Sequence, residues 1–253
     1  MNWQNNFQMS PRQAFFFPVL TGIFTFFIRF CHKSGTTCPF ASRSDVHTPL
    51  TRRRREKATR LSSVVVIGGH LDSWDLAQGA HDDGAGCVHS IEALRLLKQL
   101  GVRPRRTIRA VMFMNEENGT RGARAYASEQ RPGERHIAAI ESDSGEFLSL
   151  GFTIGASPAV FEAISKWAQL FAPIESDRFK HGGGGVDIGP LMAQGVPGLG
   201  LSVNNQRNFD FHHCANDTID AVDDRELELG AVAMAIMSYM LAKEGLPEPG
   251  PRK

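Results

Sequence analysis

The sequence predicts an α/β fold, a sheet flanked by helices, and two observations carry the prediction. From Val64 onward, short apolar runs alternate with segments whose apolar residues recur at helical spacing. Three of the runs, ending near His70, Asn115 and Glu141, lead directly into acidic or imidazole residues, which places their ends on one rim of the sheet. The stretch VVVIGGHLDSWDLAQGAHDDGAG, 64–86, is central to both. A β-branched run that stops at Gly68 and Gly69 reads as a buried strand delivering His70 and Asp72 at its carboxyl end.

Composition bounds what is built around that rim. The chain has 253 residues, 42% hydrophobic and 22% charged, which suits one domain with an appendage. A formal net charge of +1 provides no global field toward nucleic acid, and no nucleic-acid partner is expected. Cys31, Cys38, Cys87 and Cys214 are irregularly spaced, without a CxxC pair and too few for a disulfide scaffold.

Residues 1–62 differ from the rest. The run AFFFPVLTGIFTFFI, 14–28, lies behind Arg12, is short for a membrane span and has about the length of a signal-peptide core. No clean cleavage pattern follows, so a signal peptide or anchor and an untranslocated apolar stretch both stay open, and with them any membrane contact. Residues 31–60 are polar and irregular. Their basic run 52–55 lacks interleaved aromatics and reads as a solvated linker. Segment 1–62 is expected to be disordered and outside the folded domain, which runs over 63–246 and leaves 247–253 as a tail.

Taken in order, the domain continues with a helix over 85–100, carrying Val88, Ile91, Leu94, Leu97 and Leu100 and stopping at Gly101. A strand over 107–114 delivers Asn115, Glu116, Glu117 and Asn118; a short helix covers 121–130; a strand over 137–140 delivers Glu141 and Asp143. A strand at 148–154, an amphipathic helix at 158–171, a short helix at 187–194, a strand at 196–203 and a long closing helix at 225–243 complete it. No internal repeat is present.

The residue types on the rim point to a metal. Divalent ions of hard or borderline character take imidazole nitrogen and carboxylate oxygen, and His70, Asp82, Glu117, Asp143 and His213 offer these from five strand ends or loops, enough for two ions sharing a carboxylate. His70 and Asp72 are two apart, so in strand geometry they point the same way and Asp72 can accept the second ring N–H of His70. Glu116 and Glu117 are adjacent and point apart, which lets one ligate while the other takes a proton from water. Each residue alone has a plainer reading: a Glu-Glu pair as a solvated loop, Asp143 as a cap or surface acid, His213 as a loop histidine. Their conjunction favours the metal.

The strings GGHLDSWD, HDDGAG, NEENG, ESDSG and HHCANDT together resemble the signature of the co-catalytic di-zinc exopeptidases, the family of bacterial leucyl aminopeptidases, and within it the carboxypeptidase Q (plasma glutamate carboxypeptidase) branch. The resemblance covers about 64–242 in the family's order. It implies a mixed, mostly parallel sheet and two Zn2+, one held by His70 and Asp143, the other by Glu117 and His213, with Asp82 bridging. Glu116 is then the general base, Asp72 the partner of His70, and the Asp82–Asp83 peptide bond cis. In HHCANDT the family's ligand precedes the Asp of the Asp-Thr pair by four residues, which selects His213 over His212. His81 and His89 read as structural or exposed. His181, opening HGGGGVDIG, resembles a flexible loop on the substrate side, a mobile surface loop being the plainer alternative, and Asp187 beyond it orients that loop or caps a helix.

The resemblance further implies small peptide substrates, dipeptides with a free amino terminus above all, and a secreted or periplasmic location, and it leaves self-association open. The family's domain begins well before its GGHLDSWD string, and residues upstream of Val64 resemble none of that part. The sheet is therefore expected to be incomplete at its N-terminal side, with an edge uncovered. The rival class is a non-catalytic fragment that only binds.

Overall fold

The computed structural model describes residues 43–45, 62–129 and 131–247. The expectations for residues 14–28, for the basic run 52–55 and for most of segment 1–62 lie outside the described residues, as does the tail beyond 247. In chain order the elements are β1 (Arg43–Asp45), β2 (Ser62–His70), α1 (Ala85–Gln99), β3 (Thr107–Phe113), α2 (Arg121–Ser128), β4 (Glu134–Glu141), β5 (Ser149–Gly155), α3 (Pro158–Ser165), β6 (Arg178–His181), α4 (Gly189–Ala193), β7 (Gly198–Val203), α5 (Asn208–Phe211) and α6 (Asp224–Glu244). Among the described residues no helix is long and apolar enough to cross a membrane.

The strands form one mixed sheet in the order β1-β3-β2-β4-β7-β5-β6. Among the described residues β1–β3 and β5–β7 pair antiparallel and the other pairings are parallel. Strand β2 lies between β3 and β4 and is buried on both faces, which is why Val64–Ile67 shows no polar alternation. Val65 and Ile67 enter one core with α1 and α6, while Val64 and Val66 enter a second with Ala123 and Tyr126 of α2 and Leu191 of α4. The chain thus leaves β2 for β3 on one side and returns to β4 on the other, with the intervening helices on opposite faces. That reversal opens a crevice at the carboxyl ends of the strands. The register aligns His70 with Phe113 and Gly68 with Glu141, so the loops that follow share one rim.

Some expected elements differ. The amphipathic helix stops at Ser165 and gives way to short 3₁₀ turns at Ala168–Leu170 and Ala172–Ile174. Between them Phe171 is buried against Phe152 and Phe179, at centroid distances of 5.7 and 5.2 Å, and this packing overrides the helical period. Strand β6, RFKH, was not anticipated, because as an edge strand it is mostly exposed and carries no apolar alternation. His181 therefore ends a strand, its ring stacked 3.6 Å from Phe161, and does not open a free loop. The glycines after it are tied down as well: Thr153 Oγ1 donates to the Gly183 carbonyl at 2.7 Å. At the β3 edge, Arg43–Asp45 of β1, in a segment expected to lie outside the folded domain, pair with Arg109–Val111.

At the amino ends of β3 and β4, buried Arg109 donates two 2.9 Å hydrogen bonds to Glu134, and Tyr126 OH lies 3.1 Å from His136 Nε2. Burial and the neighbouring Arg131 and Arg109 lower the His136 pKa to about 4. A base whose pKa is depressed on folding binds fewer protons folded than unfolded, so the stability it contributes is present above about pH 6.5 and is lost as pH falls toward 4. The melting temperature is expected to fall across that window, and to fall less in His136→Gln.

Candidate metal centre

Four loops on the rim bring the predicted ligands together. His70 is the last residue of β2 and is 1% exposed. Its Nδ1 lies 2.8 Å from the main-chain carbonyl of Asp72, and its Nε2 lies 3.1 Å from Asp82 Oδ1 and 3.3 Å from Asp143 Oδ1. A carbonyl only accepts, so Nδ1 carries the proton and the Nε2 lone pair of a neutral ring faces two carboxylates. That arrangement is repulsive unless a cation stands between the three atoms or the ring takes a second proton. Burial opposes the second proton, yet Asp143 and Asp82 raise the His70 pKa far above its ordinary value.

A second cluster shares Asp82. His213 Nε2 is 2.9 Å from Glu117 Oε2 and 3.4 Å from Asp82 Oδ2, while His212 Nδ1 is 3.0 Å from that same Asp82 oxygen. One ligand atom from each of His70, Asp82 and Asp143, and likewise from each of Asp82, His212 and His213, falls within 4.8 Å of the others in its set. Asp82 Oδ2 and Glu117 Oε1 are buried and accept no hydrogen bond. Burial and the nearby Asp82 raise the Glu117 pKa to about 7. Carboxylate oxygens left without donors beside imidazole nitrogens are what a divalent ion satisfies, so the donor set fits zinc. His212, set aside in the sequence, stands closer to Asp82 Oδ2 than His213 does, at 3.0 Å against 3.4 Å. The His-His pair signalled two nitrogens there, but not where each would point.

Backbone geometry holds the loops. Asn115, left-handed at φ 66°, turns the chain at the end of β3, a conformation Asn tolerates better than most residues. Glu116 and Glu117 then present their N–H groups to Asp72 Oδ1 and Oδ2 at 3.2 and 3.3 Å. The role foreseen for the Asp72 carboxylate is therefore corrected: it lies 3.9 Å from His70 Nδ1, and the main-chain carbonyl of Asp72 takes the ring proton. The carboxylate is engaged by the two glutamate amides, so Asp72 orients both His70 and the Glu116 loop. Burial also raises the Glu116 pKa.

The Asp82–Asp83 peptide bond is cis, as the resemblance implies. Asp217 accepts from the N–H groups of His81 and Asp82 at 2.7 and 3.1 Å, linking the HHCANDT segment to the Asp82 loop. Buried Asp83 accepts from the N–H groups of His70 and Gly86, both at 2.9 Å. Neither Asp83 nor Asp217 was singled out in the sequence, where nothing separates a buried acid that accepts from amides from an ordinary loop acid. His81, one residue away, pairs with Glu146 between the rings of Phe147 and Phe211. His89 is buried, its Nδ1 2.9 Å from Ser142 Oγ. Glu141 accepts from the N–H groups of Val186, Asp187 and Ile188, and thereby anchors the end of the glycine-rich loop. Asp187 is buried with both carboxylate oxygens unbonded, so it does not serve as a cap.

Gly86, the second residue of α1, is required by close packing. A Cβ there would collide with the Ser142 carbonyl and with the Asp83 carboxylate, both fixed in the interior. Gly86→Ala is expected to destabilise the metal-free protein by about 3 kcal/mol, the upper end of the overpacking range, measured by denaturant unfolding. A loss within error would show that this approach is not tight.

The profile of peptidase family M28 matches residues 51–239. Carboxypeptidase Q of Homo sapiens is 37% identical over 187 residues, covering 73% of this chain and 40% of that protein, and carboxypeptidase Q of Xenopus laevis is 39% identical over the same length. The chain thus spans about 40% of the length of the curated relatives it matches. Among solved structures, a peptidase M28 precursor from Shewanella amazonensis superposes with a TM-score of 0.69 at 31% identity, covering 78% of this chain and 46% of that one. A zinc aminopeptidase from Bacillus subtilis superposes at 0.60 and 20% identity over 77% of this chain and 50% of its own, a likeness of fold. With the profile covering most of the residues and the site strings in order on one rim, the chain belongs to peptidase family M28.

Proposed function

We propose that this chain carries the catalytic centre of a zinc-dependent exopeptidase acting on small peptides, dipeptides foremost. The observation that carries the reading is Asp82, whose two oxygens face two separate sets of ligand atoms, Oδ1 toward His70 and Oδ2 toward His213. His70, Asp82 and Asp143 would hold one ion, and Asp82, Glu117 and His213 the other. When bound, such ions acidify water and polarise an amide carbonyl. Glu116 takes the proton of the attacking water and delivers it to the leaving amine, a task helped by the burial that raises its pKa. Asp72 holds the amides of Glu116 and Glu117 and, through its carbonyl, the ring of His70, so base and ligand keep one geometry. Asp83 and Asp217 fix the backbone on either side of the bridging residue.

The rival reading, a fragment that only binds, is not favoured, because ligands and base are assembled together. The test is metal content of the purified chain together with hydrolysis of unblocked dipeptides before and after chelation. Two zinc ions per chain and turnover that is abolished by chelator and restored by zinc are expected. Absence of bound metal at micromolar zinc would overturn the reading.

A further inference from the structure

The motif GGHLDSWD contains a tryptophan that the chemistry above does not use. Trp74 lies in the loop between β2 and α1 that also carries Asp72 and Asp82, and it is 43% exposed. Its ring stacks on His213 at a centroid distance of 4.4 Å and an interplanar angle of 12°. The other face of His213 is covered by His212, at 3.8 Å and 23°. The imidazole is thus held in a sandwich of three rings.

His213 needs such a device more than the other four ligands do. Its side chain is 36% exposed, against 1% for His70, 2% for Glu117, 13% for Asp82 and 23% for Asp143. Its backbone is left-handed at φ 58°, which a non-glycine residue adopts uncommonly. His70 is oriented in the usual way for a ligating histidine, by a hydrogen bond from its far nitrogen to a carbonyl. No hydrogen bond holds the far nitrogen of His213 among the described residues. With neither core packing nor a carbonyl to stop it, rotation about the side-chain torsions would carry Nε2 away from Glu117 and Asp82. The flat contact with Trp74 leaves one ring plane, and that plane points Nε2 at both carboxylates.

We propose that Trp74 is a positioning residue that orients His213, and so sets the affinity of the metal position formed by Asp82, Glu117 and His213 while leaving the His70 position untouched. This rests on the two-ion reading above. The position that depends on the more exposed histidine is then the weaker of the two, and Trp74 is what keeps it filled.

The test is calorimetric titration of the metal-free full chain with Zn2+, comparing the native protein with Trp74→Ala and Trp74→Phe. The native chain is expected to take two ions. Trp74→Ala is expected to bind one ion with native affinity and the other about ten- to a hundredfold more weakly, as for loss of a group that orients a ligand. Trp74→Phe, which keeps a flat ring, is expected to recover most of the loss. Because the side chain is half exposed, thermal unfolding of the metal-free variants should match the native protein. Two native-like binding events in Trp74→Ala, or equal weakening of both, would overturn the inference and leave the two-ion reading standing. A native chain that takes fewer than two ions would overturn both.

Discussion

Glu116→Gln is expected to leave the metal content of the chain unchanged and to lower dipeptide turnover by about a hundred- to ten-thousandfold. Glutamine has the same shape and keeps the main-chain N–H that Asp72 Oδ1 accepts, so the loop is not disturbed. What disappears is a carboxylate able to take a proton and return it. Its adjacent twin gives the opposite outcome: Glu117 is the residue whose oxygen lies 2.9 Å from His213 Nε2, and Glu117→Gln should lose metal. Metal analysis of the two variants beside their turnover numbers separates the roles. A Glu116→Gln protein that has lost zinc would reverse them.

Replacing Asp82 by Asn is expected to empty both positions, with metal content falling below one ion per chain and activity lost. Asp82 alone offers an oxygen to each set, Oδ1 toward His70 and Oδ2 toward His213, and a neutral amide is a much poorer ligand for a divalent ion. Despite burial, the His70 ring lowers the Asp82 pKa, so the native residue stands ready as the anion. The loop should survive, because its backbone is held by Asp217 and Asp83, not by the carboxylate that is changed. Circular dichroism of the metal-free variant should therefore match the native protein. Retention of one ion at native affinity would show that Asp82 serves a single position and does not bridge.

Much of this is legible in the sequence alone. The run Val64–Ile67 had to be a strand buried on both faces, because four β-branched residues in succession offer no polar side to water. Strand ends occupied by His70, Glu116, Glu117 and Asp143 had to meet on one rim, because parallel strands joined by helices all point their carboxyl ends the same way. The edge strand β6 and the short α3 were not legible: pairing at an edge leaves no apolar period in RFKH, and burial of Phe171 is a tertiary event that the local helical pattern does not contain.

The sequence by itself determined the kinds of atoms in the centre, the order in which the chain delivers them and the family to which they belong, because these depend on residue type and spacing alone. Tertiary structure decided which atom of each residue is used. The carboxylate of Asp72 turns to the glutamate amides and its carbonyl to His70, His212 approaches Asp82 beside His213, Gly86 admits the Ser142 carbonyl, and Trp74 covers His213. Each of these contacts closes between loops far apart along the chain. Its outcome is set by the ångström-scale packing of those loops against one another, and no spacing within a single motif encodes it.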